Sequence, residues 1–314
     1  MFKQLDGSLR AAFFTNESLF ASRFLFVKTM DNRKVYAMKE AHIIVQGKGG
    51  VGKSLTAAFL ADYFAAKAKL AAGAKLHYFD TDPVNQTFAR YNAFKPTVVE
   101  ILTETNNIDS RFFDGLIEKL INEKGIGIVD NGAATFVPLM AYLSENQVPE
   151  LLAENGVRLV VHVPVTGGQA LDDCMTGLNQ TLNGVSAKVV VWLNEFQGKI
   201  EKIVENKRKT FTEFAVYESH KDDIIGIVTL PQRNPDTFGA DIRAITSQNM
   251  SLTQAVESKE LGIMPRQRIK TVQKDLYEQL DKIPFLATEK ARNEQQADES
   301  EQANKPEQAD GHEN

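Results

Sequence analysis

Gly47-Lys48-Gly49-Gly50-Val51-Gly52-Lys53-Ser54 is the stretch on which the fold of this chain turns. Gly, four residues, Gly, Lys, then Ser or Thr is the spacing of a phosphate-binding loop. Residues 42–45 run into it as a short buried strand, and residues 55–70 leave it as an Ala-rich run of good helix formers. Glycines let backbone N–H groups close around phosphate oxygens with no Cβ in the way. The helix start adds unpaired N–H donors and the positive end of its dipole. Lys53 is expected on the β- and γ-phosphates, and the Ser54 hydroxyl on Mg²⁺. Gly47, Lys48, Gly49, Gly50, Val51, Gly52 and Leu55 complete the expected nucleotide contacts.

Outward from the loop, apolar stretches alternate with helical ones. Residues 76–79 end at Asp80-Thr81-Asp82-Pro83, and residues 126–129 end at Asp130. Residues 157–163 are β-branched and are closed by Pro164 and the Gly167-Gly168 turn. Residues 188–193 end at Asn194, and residues 224–230 end at Pro231. Helices are expected over 111–122, with Phe112, Phe113, Leu116, Ile117, Leu120 and Ile121 on one face, and in a short segment with Pro138 in its first turn. Another passes through Leu171 and Leu178, and a long one covers 265–283. This alternation predicts a doubly wound, mostly parallel α/β sheet covered on both faces, with ligands at the strand ends.

Three regions follow. Residues 1–37 have no place in such a fold and read as a poorly ordered extension or a start codon set too far upstream. Residues 38–286 form the phosphate-loop domain. Residues 287–314 form an acidic polar tail that cannot bury enough surface to order itself. The net charge of −5 sits wholly in residues 288–314, so the rest is neutral and composition alone does not indicate nucleic-acid binding. Cys174 is the only cysteine, which excludes an internal disulfide and any Cys-based zinc or iron–sulfur site, and fits a reducing cytosol. No apolar run approaches the roughly eighteen residues a membrane span needs. The five histidines lack metal spacing.

Asp130, at the end of an apolar strand, holds the place of a Walker B carboxylate and is expected to act on Mg²⁺ through a bound water. Asp80-Thr81-Asp82-Pro83 taken alone is a common turn.

Lys48 gives the loop a second lysine, and Lys-Gly-Gly-Val-Gly-Lys-Ser resembles the deviant loop of the ParA/MinD family of dimeric ATPases. The resemblance implies ATP held in a sandwich homodimer, with Lys48 reaching the partner's nucleotide. It gives Asp80 a place in the metal shell, Asp82 the positioning of the attacking water, and Asn194 and Pro231 the adenine. Further segments narrow it: Asp80-Thr81-Asp82-Pro83-Val84-Asn85, Asp130-Asn131-Gly132-Ala133, Phe136-Val137-Pro138-Leu139, Asn146-Gln147-Val148-Pro149, Val165-Thr166-Gly167-Gly168, Val191-Trp192-Leu193-Asn194 and Arg266-Gln267-Arg268. Together these resemble the TraL-type conjugal transfer proteins of plasmids, over about residues 38–283.

That resemblance implies a cytoplasmic, Mg·ATP-dependent switch whose partner is the relaxosome, the type IV secretion channel or DNA. Asn131-Gly132 replaces the Pro-Pro stretch of the wider family, and Val84-Asn85-Gln86 replaces Gln-Gly-Asn in the loop that senses the γ-phosphate. Slow hydrolysis is therefore expected. One rival is a plasmid partition ATPase that positions DNA, for which Lys207-Arg208-Lys209 and Arg266, Arg268 and Lys270 are the candidate contacts. A second is a dethiobiotin-synthase-like ligase, which would need an anion clamp of its own.

Overall fold

Strand β1 (Lys39–Ile44) is the axis of the sheet, and only its first residue reaches solvent. The computed structural model describes residues 39–70 and 75–285. The expected N-terminal extension and the acidic tail lie outside the described residues.

β1 pairs in parallel with β4 (Gly125–Asp130) on one side and β5 (Arg158–Thr166) on the other. Beyond β4 lie β2 (Leu76–Asp80) and the short β3 (Thr97–Val98); beyond β5 lie β6 (Lys188–Asn194) and β9 (Ile224–Leu230). The sheet has seven strands in the order β3-β2-β4-β1-β5-β6-β9, and every pairing is parallel. A separate antiparallel hairpin joins β7 (Glu201–Val204) to β8 (Lys207–Thr210).

Successive side chains of a strand point to opposite faces, so β1 feeds two cores. Ala41 and Ile43 join a layer built by α2 (Phe113–Asn122), α3 (Phe136–Glu145), α4 (Val148–Glu154) and α5 (Leu171–Gly184). Ile44 joins the other, where α1 (Lys53–Leu70) packs with α8 (Leu252–Glu257) and α9 (Ile263–Leu280). Two further helices are α6 (Ala215–His220) and α7 (Phe238–Ser247). The alanines of α1 let it lie close on the sheet while Leu60 and Phe64 fill the layer. Its buried Asp62 accepts from Thr253 N and Oγ1, Gln273 Nε2 and Tyr277 Oη, which ties α1 to α8 and α9.

A polar string crosses this second core. Trp192 Nε1 donates to His162 Nδ1 at 2.9 Å, and His162 Nε2 lies 2.9 Å from His42 Nδ1. His42 Nε2 then faces Glu40 at 3.3 Å, and Arg158 approaches the same carboxylate at 3.6 Å. Burial pushes the His162 pKa well below the usual imidazole range, and the neighbouring His42 adds to this.

Several sequence expectations are corrected. β5 does not stop before Pro164 but runs to Thr166. β1 has ended by then, and the Pro164 carbonyl accepts from the Gln46 side chain instead, so the ring costs the ladder no hydrogen bond on that side. Phe112 lies in a 3₁₀ turn ahead of α2 and is 42% exposed, off the apolar face assigned to it. The last helix spans Ile263–Leu280, and Ile283 is buried in the turn that follows. Helices α4, α6, α7 and α8, strand β3 and the β7–β8 hairpin were not anticipated.

Candidate nucleotide site

The loop from Gly47 to Gly52 joins β1 to α1 at the carboxyl ends of the strands. Gly50 (φ 76°) and Gly52 (φ 97°) adopt the left-handed backbone that a side chain resists. A Cβ on Gly52 would also come within 2.9 Å of Asn194 Nδ2. Lys53, only 8% exposed, donates from Nζ to the Lys48 carbonyl at 3.1 Å. Burial lowers its pKa, and the facing Asp130 opposes that shift. The ammonium is thus folded into the loop it serves.

Asp80 and Asp130 are register partners at the ends of β2 and β4. Asp130 is 1% exposed, and neither of its carboxylate oxygens has a hydrogen bond within the chain. Burial pushes its pKa up to about 8; Ser54 and the Lys53 charge pull the other way, and Asp80 and Asp82 push it higher. Ser54 is thus near enough to be felt without forming a hydrogen bond of good geometry. Two unpartnered buried carboxylate oxygens beside a hydroxyl are the hard oxygen donors that Mg²⁺ takes, with phosphate supplying others. Among the described residues no cluster of three acidic, His or Cys groups forms a protein-only metal cage.

The other two aspartates are occupied by their own loop. Asp80 accepts from Asp82 N and Ala89 N, each at 2.9 Å. Asp82 accepts from Val84 N at 2.9 Å and from Asn85 N at 3.1 Å. Gly132 lies so close beneath it that a Cβ there would be 2.8 Å from the Asp82 carboxyl carbon.

Lys48 is exposed and points to α5, where Nζ meets Asp173 Oδ2 at 2.7 Å. That hydrogen bond raises the Lys48 pKa. Asp173 carried no signal in the sequence, because the pairing joins residues far apart in the chain.

On the other side of the loop opens a cavity of about 300 Å³, with walls that include Leu55, Phe59, Phe196, Pro231 and Phe238. Asn194 also borders the cavity, but its Nδ2 donates to the Val51 carbonyl at 3.1 Å and its Oδ1 accepts from Phe196 N at 3.2 Å. Gln197, unremarked in the sequence, reaches the Gly50 carbonyl at 3.3 Å. Phe196 and Gln197 could have been suspected only from their position just after β6. Of the basic residues set aside as DNA contacts, Arg208 is paired with Glu201 and Arg268 with Asp241.

No protein-family model matches the chain. Two Escherichia coli proteins, each called Protein TraL, are 41% and 40% identical to it over 251 residues, covering 79% of this chain and the whole of each relative. Among solved structures, a putative plasmid partition protein of Borrelia burgdorferi B31 bound to AMPPNP is 14% identical, covering 76% of this chain and 99% of that one at a TM-score of 0.39. A complex of Cyanothece McdA, carrying one substitution, with ATP matches at 14% identity, with 76% and 96% coverage and the same TM-score. At that score neither match bears weight; the fold rests on the strand order and the position of the loop. By sequence, the chain belongs to the TraL family.

Proposed function

We propose that this chain is a Mg·ATP-dependent switch ATPase that closes as a homodimer on ATP and serves plasmid conjugative transfer in the cytoplasm. The observation that carries this reading is Asp130: a buried carboxylate with two unpartnered oxygens, set between Ser54, Lys53 and the phosphate loop. A charge so placed is costly unless a cationic ligand completes it.

The loop amides and Lys53 hold the phosphates, and the cavity beside Pro231 and Phe196 takes the base. Bound Mg²⁺ would neutralise charge on the phosphate oxygens between Ser54 and Asp130. Asp82, released from Val84 N and Asn85 N, orients a water at the γ-phosphate. Attack by that water breaks the bond from the γ-phosphorus to the bridging oxygen and yields ADP and inorganic phosphate. Lys48 exchanges Asp173 for the nucleotide of the second copy. The relaxosome and the secretion channel are the partners this family membership favours. A DNA-positioning role is less well supported, because Arg208 and Arg268 already hold partners.

The test is Lys53→Ala. Its binding of Mg·ATP in calorimetry should fall below detection while its circular dichroism is unchanged. Near-normal affinity would overturn the reading.

A further inference from the structure

One buried side chain in the site has no part in the reaction described above. Asn131 follows Asp130 and is fully buried. Its backbone N–H donates to Ile44 O of β1 at 3.2 Å. Its Oδ1 accepts from two hydroxyls, Thr81 Oγ1 of the switch loop at 3.0 Å and Thr135 Oγ1 at 2.7 Å. Its Nδ2 donates to Gly132 O at 3.1 Å. Through its backbone N–H and its side-chain amide together, Asn131 therefore joins the strand before the phosphate loop, the loop that carries Asp82, and the start of α3.

The Thr135 contact comes at a local cost. Thr135 is the N-cap of α3, where a hydroxyl ordinarily accepts from a backbone N–H of the first turn. Here it makes no cap hydrogen bond and donates to Asn131 and Gly132 instead. An N-cap hydroxyl ordinarily adds to the stability of its helix, so the diverted hydroxyl gives up part of that stability. α3 also touches the phosphate loop, since a Cβ on Gly47 would meet the Phe136 ring at 3.0 Å. One residue further on, Val137 is 68% exposed on the outer surface of the same turn.

We propose that Asn131 is a positioning residue that couples the switch loop to α3. The inference rests on the Mg·ATP reading above and adds its output. When Asp82 and Thr81 shift with the γ-phosphate, Asn131 carries the shift to Thr135, and the exposed Val137 turn of α3 moves with it. The shared acceptor links the two hydroxyls, because either segment gives up a buried hydrogen bond if it moves without the other.

Hydrogen–deuterium exchange tests this on the full-length protein with Mg²⁺ and either ATPγS or ADP. In the parent, both the segment 81–85 and the first turn of α3 should exchange at least about threefold more slowly with ATPγS than with ADP. Thr135→Val keeps the side-chain shape and leaves Asn131 its Thr81 donor. In that variant the 81–85 segment should still respond to ATPγS, while α3 exchanges alike in both nucleotides. A purely structural role would instead speed α3 exchange equally in both and preserve their ratio. Thr81→Val should behave as Thr135→Val does, and both are milder than Asn131→Ala, which risks the fold. A parental ATPγS-to-ADP ratio at α3 in either valine variant would overturn the coupling, as would a parent whose α3 ignores the nucleotide it binds. Calorimetry on the same samples separates the two readings: loss of ATPγS binding by the parent would sink the nucleotide assignment and this coupling with it.

Discussion

Asn194 braces the phosphate loop from the side, its Nδ2 donating to the Val51 carbonyl at 3.1 Å across a sequence separation of 143 residues. This relationship alters what its substitution should do. A base contact would be specific to adenine, whereas a brace acts on the loop whatever base is attached. Asn194→Ala should weaken ATP and GTP by the same factor, within about tenfold, since one net hydrogen bond is worth about 1 kcal/mol. Calorimetric titration with both nucleotides decides it, and a loss confined to ATP would return Asn194 to the adenine.

Lys48 and Asp173 form an exposed pair that must part if Lys48 is to reach a second copy's nucleotide. Lys48→Ala should bind Mg·ATP as a monomer and hydrolyse none. Asp173→Asn frees the lysine and should lower the protein concentration at which ATP-bound dimers form. Light scattering across a dilution series measures both. Unaltered dimerisation in Lys48→Ala would make it an ordinary loop lysine.

Asp130 gives the site a pH signature. With a folded-state pKa of about 8 and an unfolded value near 3.9, the ligand-free protein holds a proton that the unfolded chain releases. The stabilisation from that proton is complete below about pH 4 and is lost as pH rises through about 8. If Mg²⁺ binds beside Asp130 as proposed, it must expel the same proton, and apparent Mg·ATP affinity should then climb by up to about tenfold per pH unit and level off above about 8. Thermal melts with and without Mg·ATP from about pH 6 to 9 should therefore diverge as pH rises. Asp130→Asn should remove the divergence; a parental slope in that variant would show another group to be titrating.

Asp62 offers a control away from the site. It accepts four hydrogen bonds that pin α1 to α8 and α9. Asp62→Ala removes the shared acceptor of Thr253 N–H and the Tyr277 hydroxyl and should cost about 2–4 kcal/mol in urea unfolding. Asp62→Asn keeps a carbonyl acceptor and should cost less. Equal stability of Asp62→Ala and the parent would mean that the network is dispensable.

The sequence was most readable where a local rule has one physical cause. The glycine spacing and the apolar stretches beside it placed β1, α1, β2, β4, β5, β6 and β9, because buried parallel strands are written as uninterrupted apolar runs. It was least readable for short elements such as β3 and α4, whose stability comes from packing and not from period. Pro164 misled as a stop signal, since its effect depends on whether a neighbouring strand is still present at that level. In the site, Lys53 and Asp130 were singled out by the motif and the strand end. The partners of Lys48 and Asn194, and the Thr81 contact of Asn131, were not, because each is set by residues brought together only by the sheet order.

The string from Trp192 through His162 and His42 to Glu40 has a consequence for assembly of the sheet. An indole can only donate, so it fixes His162 with its proton on Nε2, and that in turn fixes the proton of His42 on Nε2 toward the carboxylate. The donors therefore all point one way across β6, β5 and β1. A one-residue slip of any of these three strands would turn its polar group to the opposite face and leave the others buried without partners. In a sheet whose strands are otherwise interchangeable runs of Val and Ile, these side chains act as a key that admits only one alignment.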